Sequence, residues 1–138
     1  MTTGLICLLI PLFVFPLFAQ GKLKTVQVKG FDGLKKWFRN EPVESCYIVM
    51  KDKVRFYITS YHEARIESSY YNITKKLDRK GYKIKDIYLI VHNHWAWSRF
   101  TPTDKLLYIR LREDGFRGLF LLYVQPQGNV FSLVEKDE

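Results

Sequence analysis

The sequence predicts a single α/β domain, in which a mixed β-sheet is flanked by helices. Short β-rich runs alternate along the chain with segments whose apolar residues recur at helical spacing, and the predicted order is β, α, ββ, α, β, α, ββ. The 138 residues contain no repeat or low-complexity tract that would mark a second domain. Such an order favours one sheet built from hairpins and helical crossovers.

The first half of the chain predicts a strand, a short helix and a hairpin. The stretch LKTVQVKG alternates as a strand does, and ESCYIVMKDKVRFYITS contains two β-rich runs, residues 47–50 and 54–58, joined by KDK. Between them lies a short helix with one apolar face, formed by Phe31, Leu34, Trp37 and Phe38.

The second half predicts two longer helices, a buried strand and a terminal hairpin. Residues 63–82 place Ile66, Tyr70, Ile73 and Leu77 at helical spacing, before a glycine stop. The run IKDIYLIV is continuously apolar after its start, which is typical of a strand covered on both faces. Residues 103–116 form a helix whose core face is Leu107, Ile109, the Arg110 stem and Leu111, closed by Gly115. The last strands turn at QPQGN.

Residues 1–20 are expected to lie outside the domain, which then spans residues 21–138. Residues 5–19 form an uncharged apolar run, LICLLIPLFVFPLFA, whose length is close to that of a secretory signal peptide. No basic residue precedes the run, so an uncleaved N-terminal anchor, with membrane association through that segment, is the alternative. Both interpretations predict a secreted or periplasmic protein.

Charge and cysteine content restrict the classes of protein to which the domain can belong. Cys46 is the only cysteine after residue 20, so the domain has no internal disulfide. The net charge of +8 is dispersed, which suits solubility or acidic partners such as lipid head groups. No recognition helix or base-stacking signature accompanies the charge, and specific nucleic-acid binding is not expected.

The stretch VHNHWAWSRFTPTD combines two histidines with a carboxylate. Alternate residues of a strand share a face, so His92 and His94 project to one side at the carboxyl end of the buried strand. Asp104 begins the next helix, where the helix dipole favours an anion. Two imidazoles and a carboxylate would hold zinc with a fourth position open. The alternative is a structural histidine pair with Asp104 as a simple helix cap.

These residues resemble the signature of the JAB/MPN (JAMM) metalloprotease domain, a glutamate, then His-x-His, then Ser-x-x-Asp, and are nearest its RadC-type branch. The matching positions are Glu44, His92, His94 and the segment from Thr101 to Asp104. The similarity extends to the element order over residues 31–133, and it implies a cytidine-deaminase-like α/β fold. Trp95 replaces the usual proline, Thr101 replaces the serine, and the intervening loop is one residue shorter. The ligands are retained.

The resemblance also implies roles. His92, His94 and Asp104 would hold Zn²⁺, Glu44 would be the general base, and the Thr101 hydroxyl would stabilise the oxyanion. The predicted function is an exported zinc-dependent hydrolase of an amide, peptide or isopeptide bond. A noncatalytic JAB-like protein-binding module and a basic surface-binding protein remain alternatives.

The aromatic loop between the histidines and Asp104 has two interpretations. It contains Trp95, Trp97, Arg99 and Phe100. These side chains either plug the loop against the sheet or form the wall of a groove for a peptide or protein substrate.

Overall fold

A computed structural model describes residues 22–39, 44–59, 66–95, 99–125 and 127–136, with the backbone alone at residues 59 and 66–68. The described strands are β1 (Leu23–Val28), β2 (Ser45–Met50), β3 (Arg55–Thr59), β4 (Ile87–His94), β5 (Leu119–Val124) and β6 (Asn129–Glu135). The described helices are α1 (Leu34–Trp37), α2 (Ile66–Arg79) and α3 (Pro102–Glu113). This is the predicted element order, and the prediction of a mixed α/β domain is confirmed.

One six-stranded sheet organises the domain, in the order β1-β6-β5-β4-β2-β3. The β4–β5 pair is parallel and the remaining pairs are antiparallel. Parallel neighbours need a crossover connection, and here α3 provides it. The segment between β4 and β5 therefore starts at the carboxyl end of a central strand, where α/β sheets commonly place their ligands.

Strand β4 is covered on both faces, as its apolar sequence predicts. Every residue of the strand is buried except Tyr88. Ile90 belongs to an apolar cluster shared with α2 and α3, to which the helices contribute Ile73, Leu77, Leu107, Tyr108, Ile109 and Leu111. Leu89 and Val91 face the other side, where α1 contributes Leu34 and Phe38. The alternation of β4 thus divides the core into two layers.

Two local features differ from the expectations. Strand β4 begins at Ile87 rather than at residue 84, because Ile84–Asp86 forms a 3₁₀ turn in which the Asp86 carboxylate accepts the Lys83 N–H at 2.9 Å. Arg110 is exposed rather than part of the core face of α3, and its guanidinium lies 4.8 Å from the Tyr70 ring centre.

Helices α2 and α3 each end just before a glycine, as predicted. Gly81 and Gly115 have φ values of +79° and +103°, which L side chains rarely adopt, and each follows a helix end. The N-terminal segment, residues 1–20, lies outside the described residues, so its prediction stays a prediction. Within the described ranges, no helix has the length and apolar character needed to cross a bilayer.

Candidate metal centre

The two histidines share one face of β4, as the strand alternation predicts. Their ring centres are 5.0 Å apart with the planes inclined by 71°. His92 is fully buried and His94 is 2% exposed. Both rings lie on the α2 and α3 side of the sheet, whereas Asn93 between them faces the α1 side. The backbone of one rigid, central strand therefore fixes the separation of the two imidazoles.

Asp104 meets these imidazoles from the first turn of α3. Its carboxylate is fully buried, with Oδ1 3.3 Å from His92 Nε2 and Oδ2 3.7 Å from His94 Nε2. Oδ2 also accepts the backbone N–H of Thr101 at 2.9 Å. The Thr101 hydroxyl accepts the Asp104 N–H at 3.2 Å, which completes a reciprocal capping box. Asp104 is thus both the helix cap and a neighbour of the histidines.

The donor set fits a metal ion. One ligand atom from each of His92, His94 and Asp104 lies within 4.8 Å of the others, and all three side chains are buried. Tetrahedral zinc, with bonds of about 2.0–2.2 Å, places its ligand atoms about 3.3–3.6 Å apart. The His92–Oδ1 separation of 3.3 Å falls within that range, and the His94 nitrogen lies 3.7 Å from the other carboxylate oxygen, Oδ2. These residues could therefore hold a metal ion.

Glu44, the residue immediately before β2, lies beside the same centre. The antiparallel β2–β4 register pairs Cys46 with His92. Continuing this register by two residues places Glu44 opposite His94. Glu44 Oε1 is 3.7 Å from His94 Nε2, and the side chain is 33% exposed. The Glu44 side chain therefore lies against the centre and is partly exposed, although its Oε2 atom is buried. Glu44 and His92 are 48 positions apart in the sequence, and only the antiparallel pairing of β2 with β4 brings them together.

Cys46 lies behind the histidines but is not part of the donor group. Its side chain is fully buried on β2, opposite His92 in the strand register. Burial raises the pKa of the Cys46 thiol far above its ordinary value, and the negative charge of Asp104 raises it further. The thiol is accordingly neutral at physiological pH, and thiolate chemistry is not available to it in this state.

The aromatic loop divides between the two interpretations. Phe100 is 4% exposed, and its ring centre lies 6.0 Å from that of His92 and 5.8 Å from that of Phe120. It therefore packs in the core and supports the His92 ring. Trp95, which directly follows His94, is 49% exposed, and Arg99 is exposed, so both side chains are available at the surface. Trp97 lies outside the described residues.

Sequence reasoning missed one polar group beside the centre. Asn93 is fully buried on the opposite face of β4, and its Oδ1 accepts the Ser45 N–H at 2.7 Å. A buried asparagine inside an apolar strand signals a satisfied hydrogen-bond network. Its partners, however, come from segments that only the folded sheet brings together.

No family model, curated protein or solved structure matches this chain. The fold and the geometry of the centre therefore carry the functional argument.

Proposed function

We propose that this chain is an exported zinc-dependent hydrolase of an amide, peptide or isopeptide bond, with a JAB/MPN-like centre. One observation carries the proposal: a carboxylate, Glu44, lies 3.7 Å from a buried group of two histidines and an aspartate. A structural histidine pair with a helix cap would need no additional acid there. The apolar run at residues 5–19 supports export.

Zinc is the metal that this donor set favours. Imidazole nitrogen and carboxylate oxygen are common zinc ligands, and catalytic zinc sites keep three protein ligands and one open position. His92, His94 and Asp104 would supply those three ligands. Magnesium and calcium prefer sets made of oxygen atoms, which two imidazoles do not provide.

The remaining residues have distinct tasks in this proposal. Zinc would lower the pKa of water and polarise the scissile carbonyl. Glu44 would accept a proton from the attacking water and return it to the leaving amine. The Thr101 hydroxyl already accepts the Asp104 N–H, and a hydroxyl that accepts one hydrogen bond can still donate its own proton. Thr101 would therefore donate to the oxyanion without giving up the helix cap.

The surface beside the centre suits an extended polypeptide. The Trp95 indole is half-exposed and can stack against an extended chain, and the exposed Arg99 can meet a substrate carboxylate. These two side chains support a peptide or protein substrate.

Elemental analysis and a matched pair of variants test the proposal. The purified chain should contain one zinc per molecule and should cleave members of a peptide and isopeptide library. Glu44→Gln should lower turnover by at least about 100-fold with zinc content unchanged, because a positioned acid-base group contributes about 10²–10⁴-fold. Glu113→Gln, an exposed residue at the far end of α3, is the control and should change neither.

Two results would overturn the proposal. A chain that binds no zinc contradicts the metal centre. A zinc-loaded chain whose turnover is the same in Glu44→Gln contradicts the hydrolase, and would favour the noncatalytic binding module.

A further inference from the structure

A chain of side-chain hydrogen bonds crosses the sheet face opposite the candidate metal centre. Asn93 Oδ1 accepts the Ser45 N–H at 2.7 Å, and Asn93 Nδ2 donates to Gln125 Oε1 at 2.7 Å. Gln125 Nε2 in turn donates to the Phe38 carbonyl at 2.7 Å. The Gln125 backbone N–H also donates to the His94 carbonyl at 2.8 Å, which fixes Gln125 to the end of β4.

The two ends of this chain determine its direction. The Ser45 N–H can only donate and the Phe38 carbonyl can only accept, so each amide has a single orientation that satisfies both neighbours. Asn93 must turn its oxygen to Ser45, and Gln125 must turn its nitrogen to Phe38. All four groups are then satisfied, and a fully satisfied buried network stabilises one arrangement.

These hydrogen bonds lie at both ends of the segment that carries Glu44. Residues 39–44 connect Phe38, after α1, to Ser45, at the start of β2. The β2–β4 register pairs begin at Cys46 and His92, and one residue beyond them the Asn93 side chain links Ser45 to β4. On its other side, Ser45 lies opposite Thr59 of β3. Ser45 follows Glu44 directly. The Asn93 contact therefore joins β4 to the residue that follows Glu44, and it restrains the Glu44 backbone beside His94.

We propose that Asn93 and Gln125 are positioning residues that hold Glu44 at the candidate metal centre. Asn93 lies between the two histidine ligands on β4. One face of this strand therefore carries the metal ligands, and its opposite face holds the general base in position. The role assigned to Glu44 rests on the proposed function, whereas the restraint on its backbone does not. A displacement of about 1 Å at a reacting group can lower the rate about 100-fold.

Asn93→Ala and Gln125→Leu test the restraint. Amide hydrogen exchange at Ser45 should become at least about tenfold faster in both variants, since the Ser45 N–H loses its acceptor or that acceptor loses its support. Exchange at Ile48, in the middle of β2, should not change. Gln125 is only partly buried, so Gln125→Leu decides the matter if Asn93→Ala does not fold.

Tyr47→Phe is the matched control. It removes the hydrogen bond from the Tyr47 hydroxyl to the Trp37 carbonyl, one residue from Phe38, and leaves the Asn93 network in place. Exchange at Ser45 should remain at the wild-type rate. The proposal would be overturned if the Ser45 exchange rate were unchanged in both test variants, or if Tyr47→Phe raised that rate as much as they do. Either result decides the matter whether or not the chain is an enzyme.

Kinetics then connect the restraint to the reaction. Both test variants should lower kcat about 100-fold with KM and zinc content unchanged, and adding Glu44→Gln should cause little further loss, because the two changes act through one group. Losses that multiply would show that Asn93 does not act through Glu44. If Glu44→Gln has no effect in the wild-type chain, the proposed function fails, while the exchange result still decides the restraint.

Discussion

Asp104 contacts both the helix backbone and the two histidines, and one substitution separates these roles. In Asp104→Asn the amide oxygen can still accept the Thr101 N–H, so without metal the free energy of unfolding should stay within about 1 kcal/mol of wild type. The variant loses the charged ligand, and zinc affinity should fall by more than about 100-fold, beyond the effect of losing an outer partner. Calorimetric titration with zinc and urea unfolding in chelator measure the two quantities. Wild-type zinc affinity in Asp104→Asn would contradict the assigned ligand.

Trp95 and Phe100 should respond in opposite ways to truncation. Phe100 is buried against His92 and Phe120, so Phe100→Ala should cost about 3–5 kcal/mol of folding stability. Trp95 is half-exposed, and Trp95→Ala should change stability by no more than about 0.5 kcal/mol while raising KM for a peptide substrate. Urea unfolding and steady-state kinetics measure both. A large stability loss in Trp95→Ala would show that Trp95 is also a core residue.

Among the secondary-structure elements, α3 has a first turn that both caps the helix and contributes Asp104 to the centre. Thr101→Ala removes the hydroxyl that accepts the Asp104 N–H, which should cost about 1 kcal/mol, whereas Thr101→Ser should retain the cap. If the hydroxyl also stabilises the oxyanion, Thr101→Ala should lower kcat about 10²–10³-fold with zinc content intact. Denaturation and turnover of both variants give the result. A stability loss without any change in kcat would restrict Thr101 to capping.

The sequence predicts the parts of the centre that are local. Strand alternation places His92 and His94 on one face, and the Thr101–Asp104 spacing is also that of a capping box, so both ligand elements follow from short-range patterns. Helix and strand order follow in the same way from apolar periodicity.

The long-range parts could not be predicted from periodicity. Glu44 precedes a strand without any local signal, and only the β2–β4 register brings it to His94. The Asn93 and Gln125 contacts form only because β5 pairs with β4 and the end of α1 packs beside them. No single segment of the sequence predicts that arrangement. The apolar pattern predicts too early a start for β4 because Ile84 continues it, whereas the Asp86 side chain favours a turn there.

At the scale of the whole molecule, zinc should stabilise the fold. A ligand that binds the folded chain at a free concentration of 100 times its Kd adds about 2.7 kcal/mol to the free energy of unfolding. Zinc should therefore raise Tm, and a chelator should reverse the change. His92→Ala should remain folded without metal, since it keeps every apolar side chain of the two core layers, but its Tm should no longer respond to zinc. Calorimetry of both proteins with and without zinc decides this.

The crossover from β4 through α3 to β5 has a further consequence, for the order of events during folding. His92, His94 and Asp104 all lie within this one connection, whereas Glu44 joins them only after β2 has paired with β4. A transition state in which β4 has packed against α3 would already contain all three proposed metal ligands, whereas the proposed general base would not yet be in place. Zinc present during refolding would then bind that transition state, and it would raise the folding rate constant while leaving the unfolding rate constant nearly unchanged. The ability to bind metal would thus arise before the ability to use it.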